Sequence, residues 1–269
     1  QLNDSIRDLQ DFTFRMQSSL EQFIEHAKEH TVIPVWKELV ADLITPVSAF
    51  ERIVGDQPGF LLESVEHGER WSRWSFIGRN PLLTIKKIDS QLLIEGEIPI
   101  EFDVNGQILE SVRTLQRTLS APQIENFPPM YSGLLGYLGY DTVREIEDLP
   151  TPANNDLQVP DAILSVIGEM AAFDHWSQRV FLIANAIVKP QSSESEIAES
   201  YYETKNRLDS LMLDGAKPLS EPLLDPPNLN TNSVEVKPTM SENDYCGIVE
   251  KAKDYILAGD IFQVVVSQR

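Results

Sequence analysis

The sequence has few cysteines, few basic residues and no long apolar runs. It contains one cysteine, and 22 lysines and arginines stand against 42 aspartates and glutamates, for a formal net charge of −20. A single cysteine excludes an intramolecular disulfide. A surface this acidic repels phosphate backbones and anionic lipid headgroups, so we expect neither nucleic acid nor a membrane as a partner.

Targeting signals are also missing from the sequence. No apolar stretch reaches the roughly 18 residues of a membrane span, and QLNDSIRDLQ lacks the basic and apolar segments of a signal peptide. We therefore expect a cytoplasmic protein. Because the sequence begins with Gln1 and ends in the strand-like IFQVVVSQR, we also expect a fragment, whose natural start is either Gln1 or Met16.

Apolar spacing and capping patterns predict an α+β fold of antiparallel sheets packed with helices. A capping pattern of Ser18 with Glu21 opens the first helix. Helices are predicted over 18–30, 45–54, 107–119, 194–213 and 241–258. Strands are predicted over 32–36, 59–64, 71–78, 82–88, 91–98, 161–173, 179–188 and 261–269, and those at 82–88 and 91–98 form a hairpin.

A proline-rich stretch divides the chain. Five prolines fall between residues 216 and 238, where apolar periodicity is weak, which is typical of a linker. The predicted organisation is an irregular extension over 1–16, an α+β domain over 17–213, a linker over 214–238 and the truncated start of a second domain over 239–269.

Two local patterns have a functional and a structural interpretation. His26-Ala27-Lys28-Glu29-His30 fits the H-x-x-E-H pattern of some zinc peptidases, but no third ligand is evident, and a solvated helix flank is favoured. Gly133, Gly136 and Gly139 match no known phosphate-loop spacing, so close packing of backbone against backbone is favoured.

The segment from 61 to 81 raises two further possibilities. Its cations and aromatics interleave as in a platform for single-stranded nucleic acid, but the overall negative charge argues against that function. The structural interpretation is a strand with Trp74 and Phe76 inward and Arg73 and Ser75 outward. Glu63-Ser64 offers a carboxylate and a hydroxyl beside apolar residues, which suits a zwitterionic ligand or a simple turn.

Five stretches, in order along the chain, resemble component I of anthranilate synthase. They are IPVWKELVADLITPVSAFERI, LLESVEHGERWSRWSFIG, GLLGYLGYDTVREIEDLP, AAFDH and AGDIFQVVVSQR. The resemblance runs from about Met16 to the last residue. It departs from the family at Ser132-Gly133, where two glycines are usual. It implies a two-lobed fold of which this chain contains a nearly complete first lobe.

The resemblance implies a feedback site for L-tryptophan at the LLES motif. In this family Ser64 would contact the ligand, with Glu63 beside it and Arg73 on the returning strand as a wall. The rest of that site would come from a motif of the type N-P-x-P-Y-M beyond residue 269.

The activity implied by the resemblance is the conversion of chorismate and ammonia to anthranilate and pyruvate, in tryptophan biosynthesis. A glutamine amidotransferase subunit would supply the ammonia. Mg²⁺ would be held by glutamates beyond residue 269, and no metal ligand is expected in this chain. Gln263 stands where relatives that add water carry a lysine base, and since an amide cannot deprotonate water, Gln263 fits the use of ammonia.

Three alternatives stay open at this stage. Component I of aminodeoxychorismate synthase uses the same substrates for a folate precursor. A non-catalytic tryptophan-binding module would bind the ligand without turnover. A truncation product would neither catalyse a reaction nor bind tryptophan. A fragment of this length would lack most of the expected active site.

Overall fold

The structure is a computed structural model that describes residues 17–63, 73–88, 91–104, 106–150, 158–219, 226 and 237–268. It divides into two compact units, of residues 1–220 and 221–269. Within the described residues, no helix combines the length and the apolar composition needed to cross a membrane.

The first unit alternates helices and strands along the chain. Its elements are α1 Leu20–Ala27, β1 Val32–Val40, α2 Pro46–Ile53, β2 Gly59–Glu63, β3 Trp74–Arg79, β4 Leu83–Ile88, β5 Gln91–Gly96, α3 Ile108–Thr118, β6 Leu134–Leu138, a 3₁₀ helix Tyr140–Glu145, β7 Ala162–Val166, β8 Glu169–Asp174, β9 Arg179–Ile187 and α4 Glu194–Gly215. The second unit contains α5, Glu242–Ala258.

The strands form two sheets in which all the pairings are antiparallel. One has five strands in the order β1-β9-β8-β3-β2, and the other has four in the order β5-β4-β7-β6. The predicted α+β class with antiparallel sheets packed with helices is confirmed. The predicted hairpin is also confirmed, since β4 pairs with β5.

The first helix begins one residue later than its sequence pattern predicts. Ser19 is the N-cap and shares a capping box with Gln22, so the predicted pair of Ser18 with Glu21 is wrong. The hydroxyl of Ser18 accepts the backbone N–H of Trp36 instead, at 3.0 Å. A contact with a residue on β1 has thus displaced the cap, and local spacing does not reveal such a contact.

The predicted strand over 161–173 is two strands in two sheets. β7 pairs with β4 and β6, whereas β8 pairs with β3 and β9. The chain passes between the sheets at Ile167 and Gly168. A Cβ atom at Gly168 would overlap the carbonyl oxygen of Asn80, so the crossover requires glycine there. The continuous apolar run hid the break, because both strands are largely buried.

Both faces of the five-stranded sheet are covered. Leu61, Ile77 and Phe173 belong to the apolar cluster packed against α1, α2 and α4, and we call this side the helical face. Trp74 and Phe76 belong to an aromatic cluster on the opposite side, which we call the aromatic face. Ser75 was predicted to point outward, but it is only 3% exposed because the helices cover its face.

Gly136 and Gly139 pack backbone against backbone, as the sequence predicted, but Gly133 does not, since a Cβ atom there would meet nothing within 4 Å. A Cβ atom at Gly136 would overlap the carbonyl oxygen of Ile163 on the neighbouring strand, and one at Gly139 would lie 2.7 Å from that of Asp161. Gly136 also has a φ of 158°. β6 can approach β7 this closely only without a side chain at these positions.

In the second unit, α5 begins after Ser241 and ends at Gly259, as predicted. The Ser241 hydroxyl accepts the Asp244 N–H, and Gly259 has a φ of 82° in the left-handed region. The strand predicted over 261–269 is not found, since residues 261–268 pair with no other strand among the described residues. An apolar alternation forms a strand only beside a hydrogen-bonding partner.

The helix α3 is capped by a distant carboxylate. Gln107, at the N-cap, makes no side-chain capping bond. The carboxylate of Glu145 accepts the backbone N–H groups of Ile108 at 2.9 Å and Leu109 at 3.0 Å, and it pairs with Lys87 Nζ at 2.5 Å. Burial raises the pKa of Glu145, but the bonds from Lys87 and the two N–H groups outweigh it, so the pKa lies below its usual value.

We predict that Glu145→Gln lowers the free energy of unfolding by about 2 kcal/mol at neutral pH, because it leaves Lys87 buried without its counter-charge. The folded-state pKa of Glu145 is depressed, so its contribution is complete above the unfolded-state pKa near ~4.3 and is lost as the pH falls through the folded-state value. Urea unfolding of both proteins from pH 7 to pH 3 measures this. The difference in the free energy of unfolding between the two proteins should vanish at low pH. A difference that stays the same at every pH would contradict the role given to the Glu145 carboxylate. Glu110→Gln, which breaks an exposed pair with Arg113, is the control and should change stability by less than about 0.5 kcal/mol.

Candidate functional site

The residues predicted for a ligand site fall in different parts of the structure. Glu63 is the last residue of β2, and Arg73 directly precedes β3. Ser64 lies outside the described residues. Gln263 is exposed, in the second unit, on a segment without regular secondary structure.

The pairing of β2 with β3 fixes the direction of Glu63. Glu63 stands opposite Ser75, and Ser75 stands opposite Phe173 on β8. Directly opposed residues share a face of a sheet. Since Phe173 packs in the cluster of the helical face, Glu63 and Ser75 are on that face too.

Arg73 extends to the other face. Its Nε donates to Asp174 Oδ1 at 3.0 Å, and its Nη2 donates to Asp174 Oδ2 at 2.8 Å. Asp174 stands opposite Trp74, whose ring lies in the cluster of the aromatic face. The structure therefore places the Glu63 and Arg73 side chains at the same end of the sheet but on opposite faces.

Asp174 anchors this end of the sheet as a buried anion. It is 4% exposed and also accepts the backbone N–H of Trp176 at 3.1 Å. Burial raises the pKa of Asp174, but hydrogen bonds from Arg73, the Ser177 side chain and the Trp176 N–H outweigh it and hold the pKa below its ordinary value. The carboxylate stays ionised near neutral pH and fixes the orientation of the guanidinium.

The outer edge of Arg73 remains available. Its guanidinium carbon lies 4.9 Å from the ring centre of Trp74 and 5.1 Å from that of Trp176. Asp174 occupies Nε and one hydrogen of Nη2, and Nη1 has no partner among the described residues. The side chain is 45% exposed. A fixed, half-exposed guanidinium between two indoles is suited to bind a second carboxylate in a bidentate manner. We call Arg73, Asp174 and Trp176 the strand-end site, and Glu63 lies at the same end of the sheet on the opposite face.

Ser75 and His175 form a second pair at this end. Ser75 Oγ lies 2.8 Å from Nε2 of the His175 ring. The backbone N–H of His175 donates to the backbone carbonyl of Arg73 at 2.9 Å. A serine beside an imidazole resembles part of a catalytic triad. Ser75 is buried, however, and the nearby carboxylate of Asp174 binds Arg73, so the pair locks the ends of β3 and β8 and is not a nucleophile with its base.

Comparison with known proteins identifies the family to which the chain belongs. Residues 59–269, most of the chain, match the family described as chorismate binding enzymes. The chain belongs to the chorismate-binding enzyme family. The relation to anthranilate synthase component I that the five motifs indicated is confirmed by curated relatives of that name.

Two of these relatives illustrate the extent of the match. Component 1 of anthranilate synthase from Arthrobacter globiformis is 36% identical over 253 residues, which are 93% of this chain and 47% of that protein. The protein of the same name from Acetivibrio thermocellus is 33% identical, over 90% of this chain and 49% of its own length. The chain thus spans about half the length of the curated relatives it matches.

A solved structure supports the fold. The crystal structure of anthranilate synthase component I from Streptococcus pneumoniae superposes with a TM-score of 0.52 and 24% identity, covering 86% of this chain and 47% of that one. The chain therefore shares its fold with the corresponding part of that structure. At this identity the likeness concerns the fold alone.

The sequence pointed to part of the strand-end site and missed the rest. No functional role for Asp174, Ser75 or His175 was predicted from the sequence. Asp174 is the last residue of β8, and His175, Trp176 and Ser177 lie in the turn that follows it. The one sequence signal for this site was a carboxylate and an imidazole at the end of an apolar strand. Their partners, Arg73 and Ser75, lie about a hundred residues earlier in the chain.

Two alternative sites find no support in the described residues. These residues contain no group of three or more His, Cys, Asp or Glu side chains able to hold a metal ion, so His26 and His30 have no third ligand there. The nucleic-acid platform needed a row of exposed cations, but of its described arginines only Arg73 is partly exposed, whereas Arg79 is 12% exposed and is bound to Glu169 and Asp214. Arg70 and Trp71 lie outside the described residues.

We predict that Ser75 is chemically unreactive, because its hydroxyl is buried and hydrogen-bonded to His175. A fluorophosphonate probe should leave Ser75 unlabelled under conditions that label a serine hydrolase completely, as read by peptide mass spectrometry. Labelling that disappears in Ser75→Ala and His175→Gln would contradict this interpretation and would indicate a nucleophile.

Proposed function

We propose that this chain is part of component I of anthranilate synthase, which converts chorismate and ammonia to anthranilate and pyruvate in tryptophan biosynthesis. The observation that carries the proposal is the continuous match, over about nine tenths of the chain, to relatives with that curated name. In the proposed assembly a glutamine amidotransferase subunit delivers the ammonia, and the protein is cytoplasmic.

The proposed reaction is a lyase reaction with a dianionic substrate. Ammonia adds to the ring of chorismate as hydroxide leaves, and the enolpyruvyl group then departs as pyruvate when the ring becomes aromatic. A magnesium ion would neutralise the substrate carboxylates. No three potential ligands come together in the part of the chain described here, so none of these residues is assigned to that ion.

Gln263 is assigned to the selection of the nucleophile. An amide has no proton-accepting nitrogen near neutral pH, so it cannot activate water, whereas ammonia needs no such activation. Its position in an exposed segment is compatible with a role that depends on further protein around it.

The strand-end site is proposed as part of the feedback site for L-tryptophan. The available edge of Arg73 would take the ligand carboxylate, and Trp74 and Trp176 provide flat apolar surfaces for an indole beside it. Glu63 and Ser64, from the LLES motif, belong to the same proposal. Binding there would favour a less active arrangement of the enzyme, which is a two-state effect.

We predict that the complete protein, supplied with chorismate, ammonium and magnesium, releases anthranilate and pyruvate in equal amounts. Anthranilate fluorescence and a coupled pyruvate assay measure the two. Gln263→Lys should divert turnover towards a hydroxylated product by providing a base for water. Aminodeoxychorismate without pyruvate would identify the folate enzyme, and L-tryptophan binding without turnover would identify a binding module.

We also predict that Asp174→Asn raises the concentration of L-tryptophan needed for half-maximal inhibition by about tenfold, since it releases the guanidinium from its fixed orientation. Ser64→Arg should raise this concentration further by filling the pocket. Each variant is compared with its own rate without tryptophan. Asp209→Asn, at an exposed pair with Lys205, is the matched control and should leave the inhibition curve in place. Equal inhibition of all four proteins would remove the strand-end site from the feedback mechanism.

A further inference from the structure

The two sheets enclose a cavity far from the strand-end site. It has a volume of about 530 Å³ and lies between the start of β2, the end of β3 and one face of the four-stranded sheet. Gly59 lines it at one end of β2, whereas Glu63 lies at the other end. At about 3.3 Å per residue, the two sites are roughly 13 Å apart along the strand. We call this space the inter-sheet cavity.

The floor of the inter-sheet cavity carries an unfilled hydrogen-bonding group. Thr84 and Ser165 face each other across β4 and β7, and their hydroxyl oxygens are 2.8 Å apart. One hydroxyl donates to the other, so the hydrogen of the second has no acceptor among the described residues. Thr84 is 7% exposed. A hydroxyl pair that is buried at Thr84, half-buried at Ser165 and left with a spare donor is a polar site within largely apolar surroundings.

A charged pair lies beside the hydroxyls. Lys86 Nζ is 2.6 Å from Glu95 Oε1, and the two side chains are 29% and 59% exposed. Both line the cavity. An ammonium has three donors and a carboxylate has two oxygens, so each group keeps bonding capacity after pairing with the other. The pair therefore presents a cation and an anion together, with no net charge.

An aromatic ring forms part of the opposite wall. Phe60 stands opposite Gly78, and a Cβ atom at Gly78 would overlap the Phe60 ring. Glycine at this position thus allows the ring to lie flat across the strand pair. The remaining lining is mostly apolar and includes Pro58, Pro81, Leu135, Ile163 and Ile167, together with the polar residues Gln57, Arg79, Asn80 and Tyr137. Apolar walls around a few convergent polar groups, at this volume, are typical of small-molecule sites.

We propose that the inter-sheet cavity binds a small amino acid in its zwitterionic form, with an aromatic side chain. The ligand ammonium binds Glu95, its carboxylate binds Lys86 and the spare hydroxyl, and its ring packs against Phe60. A ligand without net charge matches the neutral pair, and it avoids the repulsion that a chain of net charge −20 exerts on anions. The inference does not depend on the proposed enzymatic function.

The test is calorimetric titration of the complete protein with L-phenylalanine and two truncated analogues. We expect a dissociation constant of about 1 mM or tighter for L-phenylalanine. 3-Phenylpropionate lacks the ammonium and phenethylamine lacks the carboxylate, so each should bind at least about tenfold more weakly, through the loss of one charge-assisted hydrogen bond. Absence of L-phenylalanine binding, or equal binding of all three compounds, would overturn the proposal.

Variants assign the binding to the cavity. Lys86→Gln should weaken L-phenylalanine binding about tenfold, and Thr84→Val with Ser165→Ala should weaken it without changing the shape of the floor. Lys205→Gln, at an exposed pair on α4, is the matched control. Urea unfolding checks that each variant folds. Leu135→Phe narrows the cavity and should also weaken L-phenylalanine binding.

One more variant distinguishes L-phenylalanine binding at the strand-end site from binding in the inter-sheet cavity. L-Phenylalanine binding should persist in Ser64→Arg. If Ser64→Arg abolishes it while Lys86→Gln leaves it intact, the ligand occupies the strand-end site and the inter-sheet proposal is wrong, whereas the proposed feedback site gains support. If tryptophan fails to inhibit but L-phenylalanine binding depends on Lys86, the feedback proposal fails and the inter-sheet site stands.

Discussion

Arg79 joins four elements of the first unit at one buried point. From the end of β3 its Nε donates to Glu169 on β8 at 2.9 Å, and its Nη1 donates to Asp214 on α4 at 2.6 Å and to the carbonyl of Ile53 on α2 at 2.8 Å. The side chain is 12% exposed and Glu169 is 4% exposed. Removing one partner from such a group leaves a buried charge unpaired, which typically costs about 3–5 kcal/mol.

The sheet junction lies directly beside this ion cluster. Asn80 follows Arg79 with a φ of 45°, in the left-handed region that asparagine tolerates, and its amide donates to Glu169 at 3.3 Å. The return crossing at Ile167-Gly168 packs against Asn80. The amide of Asn185 donates to the Ile167 carbonyl at 3.1 Å and holds this crossing. Both passages of the chain between sheets are therefore fixed by the same small group of polar contacts.

This junction sets the geometry of the two proposed ligand sites. β2 and β3 pair with Gly59 opposite Arg79 and Glu63 opposite Ser75, so an anchor at Arg79 also fixes the register at the other end. A slip by one residue would exchange the helical and aromatic faces for every side chain of the pair. The inter-sheet cavity depends on the same register, because Phe60 must meet Gly78.

Local patterns predicted the elements whose causes are local. The helix from Pro46 to Ile53, the helix opened by Ser241 and the hairpin of β4 with β5 each depend on residues within a few positions of one another. The predictions failed where a distant residue decided the outcome. The backbone N–H of Trp36 binds the Ser18 hydroxyl, which therefore does not cap the first helix. The pairing of β7 with β4 in the second sheet divides the strand predicted over 161–173. Periodicity contains no information on such contacts.

The candidate site shows the same limit more sharply. The five motifs led to Glu63, Ser64 and Arg73 through resemblance, yet the sequence did not place Arg73 beside Asp174, which lies 101 positions away. It also grouped Glu63 with Arg73 as neighbours, while the pairing of β2 with β3 separates their side chains across the sheet. Chemistry could be inferred from residue types, but the facing of side chains required the strand register.

The distribution of charge explains which ligands this chain can accept. Arg79 and Lys87 are largely buried and paired with carboxylates, so they serve the fold. Arg73 and Lys86 are partly exposed, and each is paired with one carboxylate while keeping further donors. A ligand at either position meets a cation that is already neutralised, within a strongly acidic chain. Directional hydrogen bonds can still bind a carboxylate there, but no excess positive charge balances a dianion. Amino acids, which carry their own compensating ammonium, therefore suit both sites better than a dianion does.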